Sequence, residues 1–248
     1  MKAAAPRLRM FAGPNGSGKS TLKSVLPPEL LGPYLNPDEI EASIKKSGAL
    51  KPEDYGVITT ADEILSFFHA SRLLAESNLQ TAAQQLTFAG GRLEFPGIGV
   101  NSYWASVAVD FFRHKLVADK VSFTFETVMS HPSKVDFLGM ARQAGYRTYL
   151  YFIATDDPEI NVSRVRNRVS LGGHTVPEDK IISRYYRSLE LLPAAVRATD
   201  RAYIFDNSGG KGAHTWLAEV TDGKSLELKV NLVPGWFKKA VLDPLAIK

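Results

Sequence analysis

Cysteine is absent from the 248 residues, which excludes disulfides, thiolate catalysis and a cysteine-ligated zinc site. Its absence also leaves compartment unmarked, and stability must come from packing. No stretch approaches the roughly eighteen uninterrupted apolar residues that a membrane-spanning helix needs. The opening Met1 to Pro6 lacks the long apolar run of a secretory signal. The expectation is a cytoplasmic protein with no membrane partner. The charge balance is nearly even: 30 basic against 26 acidic residues leave a formal net charge of +4, which tolerates an anionic ligand but does not imply nucleic-acid binding. Internal repeats and low-complexity tracts are missing, so no solenoid is expected. What remains, 44% hydrophobic and 23% charged, is an ordinary globular composition on a chain long enough to bury a substantial core.

Against that background one stretch carries chemistry. Gly13-Pro14-Asn15-Gly16-Ser17-Gly18-Lys19-Ser20-Thr21 has the spacing of a phosphate-binding P-loop. Its backbone N–H groups can wrap a polyphosphate, Lys19 can reach the terminal phosphates, and Ser20 can ligate Mg²⁺. Leu8 to Ala12 reads as an apolar strand before the loop. Ser20 to Val25 reads as the start of a helix whose positive end faces the anion.

Beyond the loop the chain alternates between strand and helix signals. Tyr34-Leu35-Asn36 leads as a short strand into a helix, with Asn36 suited to the N-cap and Pro37 to the first turn. Residues 61 to 79 have apolar positions at helical spacing and open with the capping-box pair Thr60 and Glu63, so they predict one amphipathic helix. Residues 87 to 100 predict a loop or small hairpin, and 102 to 118 resume helical spacing. Val121 to Phe125 is a strand ending at Glu126-Thr127, followed by a helix from about Ser130 to Ala144. Tyr149 to Ala154 is apolar at nearly every position, as a central parallel strand should be. Asp157-Pro158 opens an arginine-bearing helix that Gly172-Gly173 ends, and Thr175 with Glu178 predicts a second capping box before residues 177 to 198. Ala202 to Phe205 is one more core strand. Thr215 to Val220 and Ser225 to Val230 flank Asp222-Gly223 and predict an antiparallel hairpin at the sheet edge. The fold class expected is α/β: a kinase-like P-loop sheet, parallel and flanked by helices, ending in an antiparallel hairpin. One domain over 1–248 is expected, with an insertion around 80–104 and a hairpin extension around 212–248.

Open α/β sheets bind ligands at the carboxyl ends of their strands, and two acids fall there. Asp38 follows the second strand and Glu126 ends the third. An acid on that rim can orient and deprotonate an acceptor hydroxyl during phosphoryl transfer. Asp38 can equally favour the helix dipole, and Glu126 can hold Mg²⁺ through water instead of touching a substrate. Arg164 and Arg168 share a helix face while Arg166 points elsewhere, and Arg184 returns on the next helix. Arginines closing over a transferred phosphate would neutralise its developing charge; a solvated basic helix is the plainer alternative. His131 and His174 are assigned no metal.

With those motifs assembled, the chain resembles the zeta-toxin family of P-loop kinases. The phosphate loop, Asn36-Pro37-Asp38-Glu39, Phe125-Glu126-Thr127-Val128-Met129-Ser130 and the segment from Arg164 to Tyr185 carry the resemblance. It implies a kinase that uses ATP or a related triphosphate to phosphorylate a hydroxyl. In characterised members the acceptor is the amino-sugar of UDP-N-acetylglucosamine, and an antitoxin protein blocks the nucleotide site. It further implies Asp38 as the base, Glu126 and Thr127 with Asn36 at the acceptor, Arg168 with Arg164 or Arg184 as lid arginines, and Asp206-Asn207 beside the adenine. The lid arginines do not align with a unique pair. The Phe88 to Trp104 insertion, with Arg92, Asn101 and Tyr103, offers a different pocket. Two other classes compete: an ATP-dependent switch that hydrolyses slowly without an acceptor, and a nucleic-acid end kinase, for which a basic groove with interleaved aromatics is lacking.

Overall fold

The computed structural model describes residues 4–23, 26–173, 175–209 and 214–245. Ser24 and Val25, at the expected end of the first helix, and His174 lie outside the described residues. The chain divides into two compact units, Met1–Leu31 with Thr124–Lys248, and Gly32–Phe123.

Along the chain, β1 (Arg7–Ala12) enters the loop and α1 (Lys19–Leu22) leaves it. The Gly32–Phe123 unit then contains β2 (Tyr34–Leu35), α2 (Pro37–Ser47), β3 (Ala49–Leu50), α3 (Ala61–His69), α4 (Arg72–Glu76), α5 (Gln80–Ala83), β4 (Thr87–Ala89), β5 (Arg92–Glu94) and α6 (Ser102–Ala118). From there β6 (Phe123–Thr127), α7 (Ser133–Gln143), β7 (Arg147–Ala154), α8 (Pro158–Ser170), α9 (Glu178–Arg197), β8 (Arg201–Asp206), β9 (Thr215–Thr221) and β10 (Ser225–Leu228) complete the first unit, with short helical turns from Gly235 to Leu245.

In the first unit the strands run in the order β10-β9-β8-β7-β1-β6. β7 pairs in parallel with both β1 and β8, which makes it central, as its apolar run predicts. β9 and β10 add antiparallel at the edge, as the hairpin signal at Asp222-Gly223 predicts. Leu8, Met10, Leu150, Phe152 and Ile204 are wholly buried, and the Phe152 ring lies 6.3 Å from that of Trp236 in the C-terminal turns. The sheet is thus mixed, parallel in its centre and flanked by helices. Its parallel order brings the carboxyl ends of β1, β7 and β8 side by side.

The Gly32–Phe123 unit is built on α6, whose Trp104, Ala105, Ala108, Phe112 and Leu116 are fully buried. The residue 87–100 signal resolves as the hairpin β4–β5, and β3 joins it to make a three-stranded antiparallel sheet.

Two local expectations are corrected. Residues 61 to 79 do not form one helix. The capping box of Thr60 and Glu63 is present, but Ser71 is extended and its hydroxyl accepts from Leu74 N–H at 3.3 Å, starting α4 afresh. A serine cap competing with the helical backbone explains the break. Nor do Thr175 and Glu178 form a capping box: Pro177 is the N-cap of α9, with no side-chain cap bond. A cap at Thr175 needs Val176 in helical conformation, and the residue before a proline resists that. Glu178 instead pairs with Arg166.

Candidate functional site

The phosphate loop lies between β1 and α1, and its glycines are demanded by sterics. Gly13 has φ 145°, and a Cβ there would stand 2.0 Å from Ile153 O; Gly18 has φ 101°, and a Cβ there would stand 2.4 Å from Asn207 Nδ2. The close approach of β7 and of the residue after β8 is what excludes side chains. Ser17 N–H donates to Pro14 O at 3.3 Å, closing the turn.

Two asparagines from distant segments fix the loop's peptides. Asn161, wholly buried in α8, donates from Nδ2 to Asn15 O at 2.6 Å, and the Thr155 hydroxyl bonds its Oδ1. Asn207, directly after β8, donates from Nδ2 to Ser17 O at 2.8 Å while its own N–H donates to Ala154 O at 2.8 Å. In a trans peptide the C=O of one residue and the N–H of the next point opposite ways. Fixing Asn15 O and Ser17 O therefore aims the Gly16 and Gly18 N–H groups away from the two asparagines. That alternation is what a polyphosphate cradle requires.

Lys19 Nζ donates to Gly13 O at 2.9 Å and to Pro14 O at 3.0 Å, so the ammonium lies along the loop. The Ser20 hydroxyl donates to Glu126 Oε2 at 3.4 Å; Glu126 is only 6% exposed at the end of β6. Thr127, next in the chain, accepts from Met129 N–H through Oγ1 at 3.1 Å. Among the described residues no group of three His, Cys, Asp or Glu could hold a metal. Mg²⁺ in such sites keeps several waters and takes one or two protein oxygens plus phosphate, so Ser20 and Glu126 fit it.

Several buried polar atoms at the loop have no hydrogen-bond partner: Asn15 Oδ1, Ser17 Oγ, Arg164 Nη1 and His214 Nδ1. Buried polar groups are otherwise almost always paired, so such a cluster fits a site built for a polar ligand. Arg164 reaches the same region from α8, donating through Nη2 to Gly209 O at 3.0 Å. Arg168, one turn on, is exposed; its carbonyl accepts from Gly173 N–H at 2.9 Å, closing the helix end. Arg184 is half-buried on α9. Val162, Val165 and Ile181 form the apolar seam between α8 and α9. The Arg166–Glu178 pair across their connection is exposed and adds little.

Asp206 closes the turn after β8: its carboxylate accepts from Ser208 N–H at 2.9 Å, from the Ser208 hydroxyl at 2.7 Å and from Trp236 Nε1 at 2.8 Å. In the Gly32–Phe123 unit, Asn36 Oδ1 caps α2 by accepting from Asp38 N–H at 2.9 Å and Glu39 N–H at 3.4 Å. Asp38 is exposed in the first turn of α2. In the insertion, Asn101 caps α6 through Tyr103 N–H, and Arg92 pairs with Glu94. Sequence reasoning missed Asn161 and His214. Asn161 left one faint signal, a small polar residue beside the apolar Val162 and Val165 of α8.

Residues 104–213 match the family model described as Zeta toxin. The resemblance to zeta toxins holds. The matched segment contains Glu126, Thr127, Arg164, Arg168, Arg184 and Asn207, while the phosphate loop and Asp38 precede it. An uncharacterized protein of Haemophilus influenzae is 31% identical over 72 residues, 29% of this chain and 51% of that relative. The crystal structure of AvrRxo1-ORF1:-ORF2 with ATP is similar at a TM-score of 0.54 and 16% identity, over 92% of this chain and 61% of that one. The same complex with sulphate ions gives a TM-score of 0.54 and 16% identity, over 92% and 62%. The chain spans about half the length of the curated relative and about three-fifths of the solved chains. At such identities the solved structures speak for the fold. No helix among the described residues is long and apolar enough to cross a membrane.

Proposed function

We propose that the chain is a zeta-toxin-type kinase that transfers the γ-phosphate of ATP to a hydroxyl of a nucleotide sugar such as UDP-N-acetylglucosamine, with an antitoxin protein as its partner. The observation that carries this reading is the Ser20 hydroxyl at 3.4 Å from the buried Glu126 carboxylate beside a fully formed phosphate loop. An acid at that position serves a reaction at the terminal phosphate. The complex with ATP among the similar structures supports a nucleotide in the loop.

In this reading the loop N–H groups and Lys19 hold the phosphates, and Ser20, with Glu126 beside it, would hold Mg²⁺, which would supply charge neutralisation at the terminal phosphates. Asp38 takes the proton of the acceptor hydroxyl as its oxygen bonds the γ-phosphorus; the bond to the β–γ bridging oxygen breaks and ADP leaves. Glu126, Thr127 and Asn36 face the acceptor, and Arg168 with Arg164 or Arg184 spreads over the transferring phosphoryl group.

The test is a mass-spectrometric screen of nucleotide sugars, nucleosides and dinucleotides with labelled ATP, starting from UDP-N-acetylglucosamine. A new phosphorylated species supports the reading, and hydrolysis with no phosphorylated product refutes it. Asp38→Ala should leave ATP affinity intact while lowering kcat by about 10²–10⁴. Transfer at the wild-type rate would remove Asp38 from the role of base.

A further inference from the structure

We propose that His214 is a phosphate-binding residue of this site, contacting the inner, α-phosphate end of the triphosphate from the position directly before β9. The proposal rests on the kinase reading above, because it takes the phosphate loop as the seat of a triphosphate.

His214 Nε2 lies 2.8 Å from Thr21 Oγ1, 193 residues away in the chain. Its Cε1 stands 3.3 Å from where a Cβ on Gly18 would be, so the imidazole lies against the end of the loop. The Thr21 hydroxyl is also 2.7 Å from Gly18 O. A hydroxyl has one proton to give. Donated to Gly18 O, it leaves the Thr21 oxygen accepting from a protonated Nε2. The neutral ring then carries a lone pair on Nδ1, which is buried without a partner.

Position along the loop assigns the phosphate. Lys19 and Ser20 serve the outer phosphates in a loop of this type, whereas the loop N–H groups reach inward to the α-phosphate, and His214 lies against Gly18 and Thr21 of that loop. Arg164 on α8 is the charged group acting on the ring: burial first, and then Arg164, hold His214 below the usual imidazole range. It is therefore neutral near pH 7 beside the Arg164 cation. A triphosphate seated here offsets Arg164 and favours protonation at Nδ1, with the proton taken from solvent. The ring then donates from both nitrogens, one to Thr21 and one to the phosphate.

Calorimetric titration of ATP and inorganic tripolyphosphate into wild type, His214→Asn and His214→Gln at about pH 6 and pH 8 tests this. The expected result is a loss of about tenfold for both ligands in His214→Asn, larger at the acid pH, with partial recovery in His214→Gln. Equal affinities in all three proteins would overturn the proposal. A loss confined to ATP would place His214 at the nucleoside and overturn the phosphate assignment. Binding abolished by Lys19→Ala yet indifferent to His214 would keep the kinase reading and sink this one, whereas wild type binding neither ligand would remove both. Should the variants not fold, the His214 proton resonances of wild type decide: tripolyphosphate must raise their titration midpoint, and an unmoved midpoint counts against the proposal.

Discussion

Replacing Asn207 by alanine isolates the part of the site that the fold alone builds. The side chain is 7% exposed, and its Nδ2 donates to Ser17 O at 2.8 Å; Ser17 itself is wholly buried. Alanine leaves the Asn207 N–H on Ala154 O but strands a buried carbonyl, at a cost of about 1–3 kcal/mol. If the Ser17–Gly18 peptide keeps its orientation, the cost falls on stability, lowering the midpoint by about 2–4 °C for each kcal/mol in a chain of this size. If the peptide rotates to reach water, the Gly18 N–H turns out of the cradle and the cost appears as about 5- to 150-fold weaker phosphate binding. Calorimetry of unfolding and of ligand binding, on one preparation, measures both shares. The two should sum to the penalty of one stranded carbonyl, and tripolyphosphate should lose as much affinity as ATP. A loss restricted to ATP would mean that Asn207 reads the adenine. No loss in either quantity would refute the account of how the loop is held.

The remaining expectations concern the same unit. Gly18→Ala forces a side chain at φ 101° to within 2.4 Å of Asn207 Nδ2, so triphosphate affinity should fall at least about tenfold by calorimetry; near-normal binding would mean that the loop adopts another conformation. Arg168→Ala should lower kcat about 10²–10³-fold with a smaller loss of unfolding midpoint than Arg164→Ala, because Arg168 is exposed whereas Arg164 is part-buried and loses its bond to Gly209 O. Steady-state kinetics beside thermal melts separates the two. Full activity in Arg168→Ala would leave Arg184 as its replacement in the lid.

What the sequence disclosed and what it withheld divide along chain separation. Strand β7, the hairpin after β8 and the cap of α2 at Asn36 were legible because apolar runs, turn residues and caps act within a few residues. The Thr175 cap failed on an equally local fact, since Pro177 denies Val176 the helical conformation the cap needs. The phosphate loop could be named from its spacing, yet spacing does not say what holds its peptides. Asn161 reaches Asn15 across 146 residues and Asn207 reaches Ser17 across 190, contacts set only by the parallel order of β1, β7 and β8.

Those two contacts change what the glycines are for. Gly16 and Gly18 have φ of 75° and 101°, and Cβ atoms there would meet Asn161 O at 2.6 Å and Asn207 Nδ2 at 2.4 Å. The segments that forbid a side chain are thus the ones that supply the fixing amides. Close approach and hydrogen bonding are a single requirement: the asparagine must come near enough to hold the preceding carbonyl, and only glycine leaves room. The loop is preorganised in proportion to that proximity, since a held carbonyl cannot rotate to carry its partner N–H away from the ligand. A P-loop spacing on a scaffold without these two asparagines would keep its glycines and still hold its N–H groups less firmly.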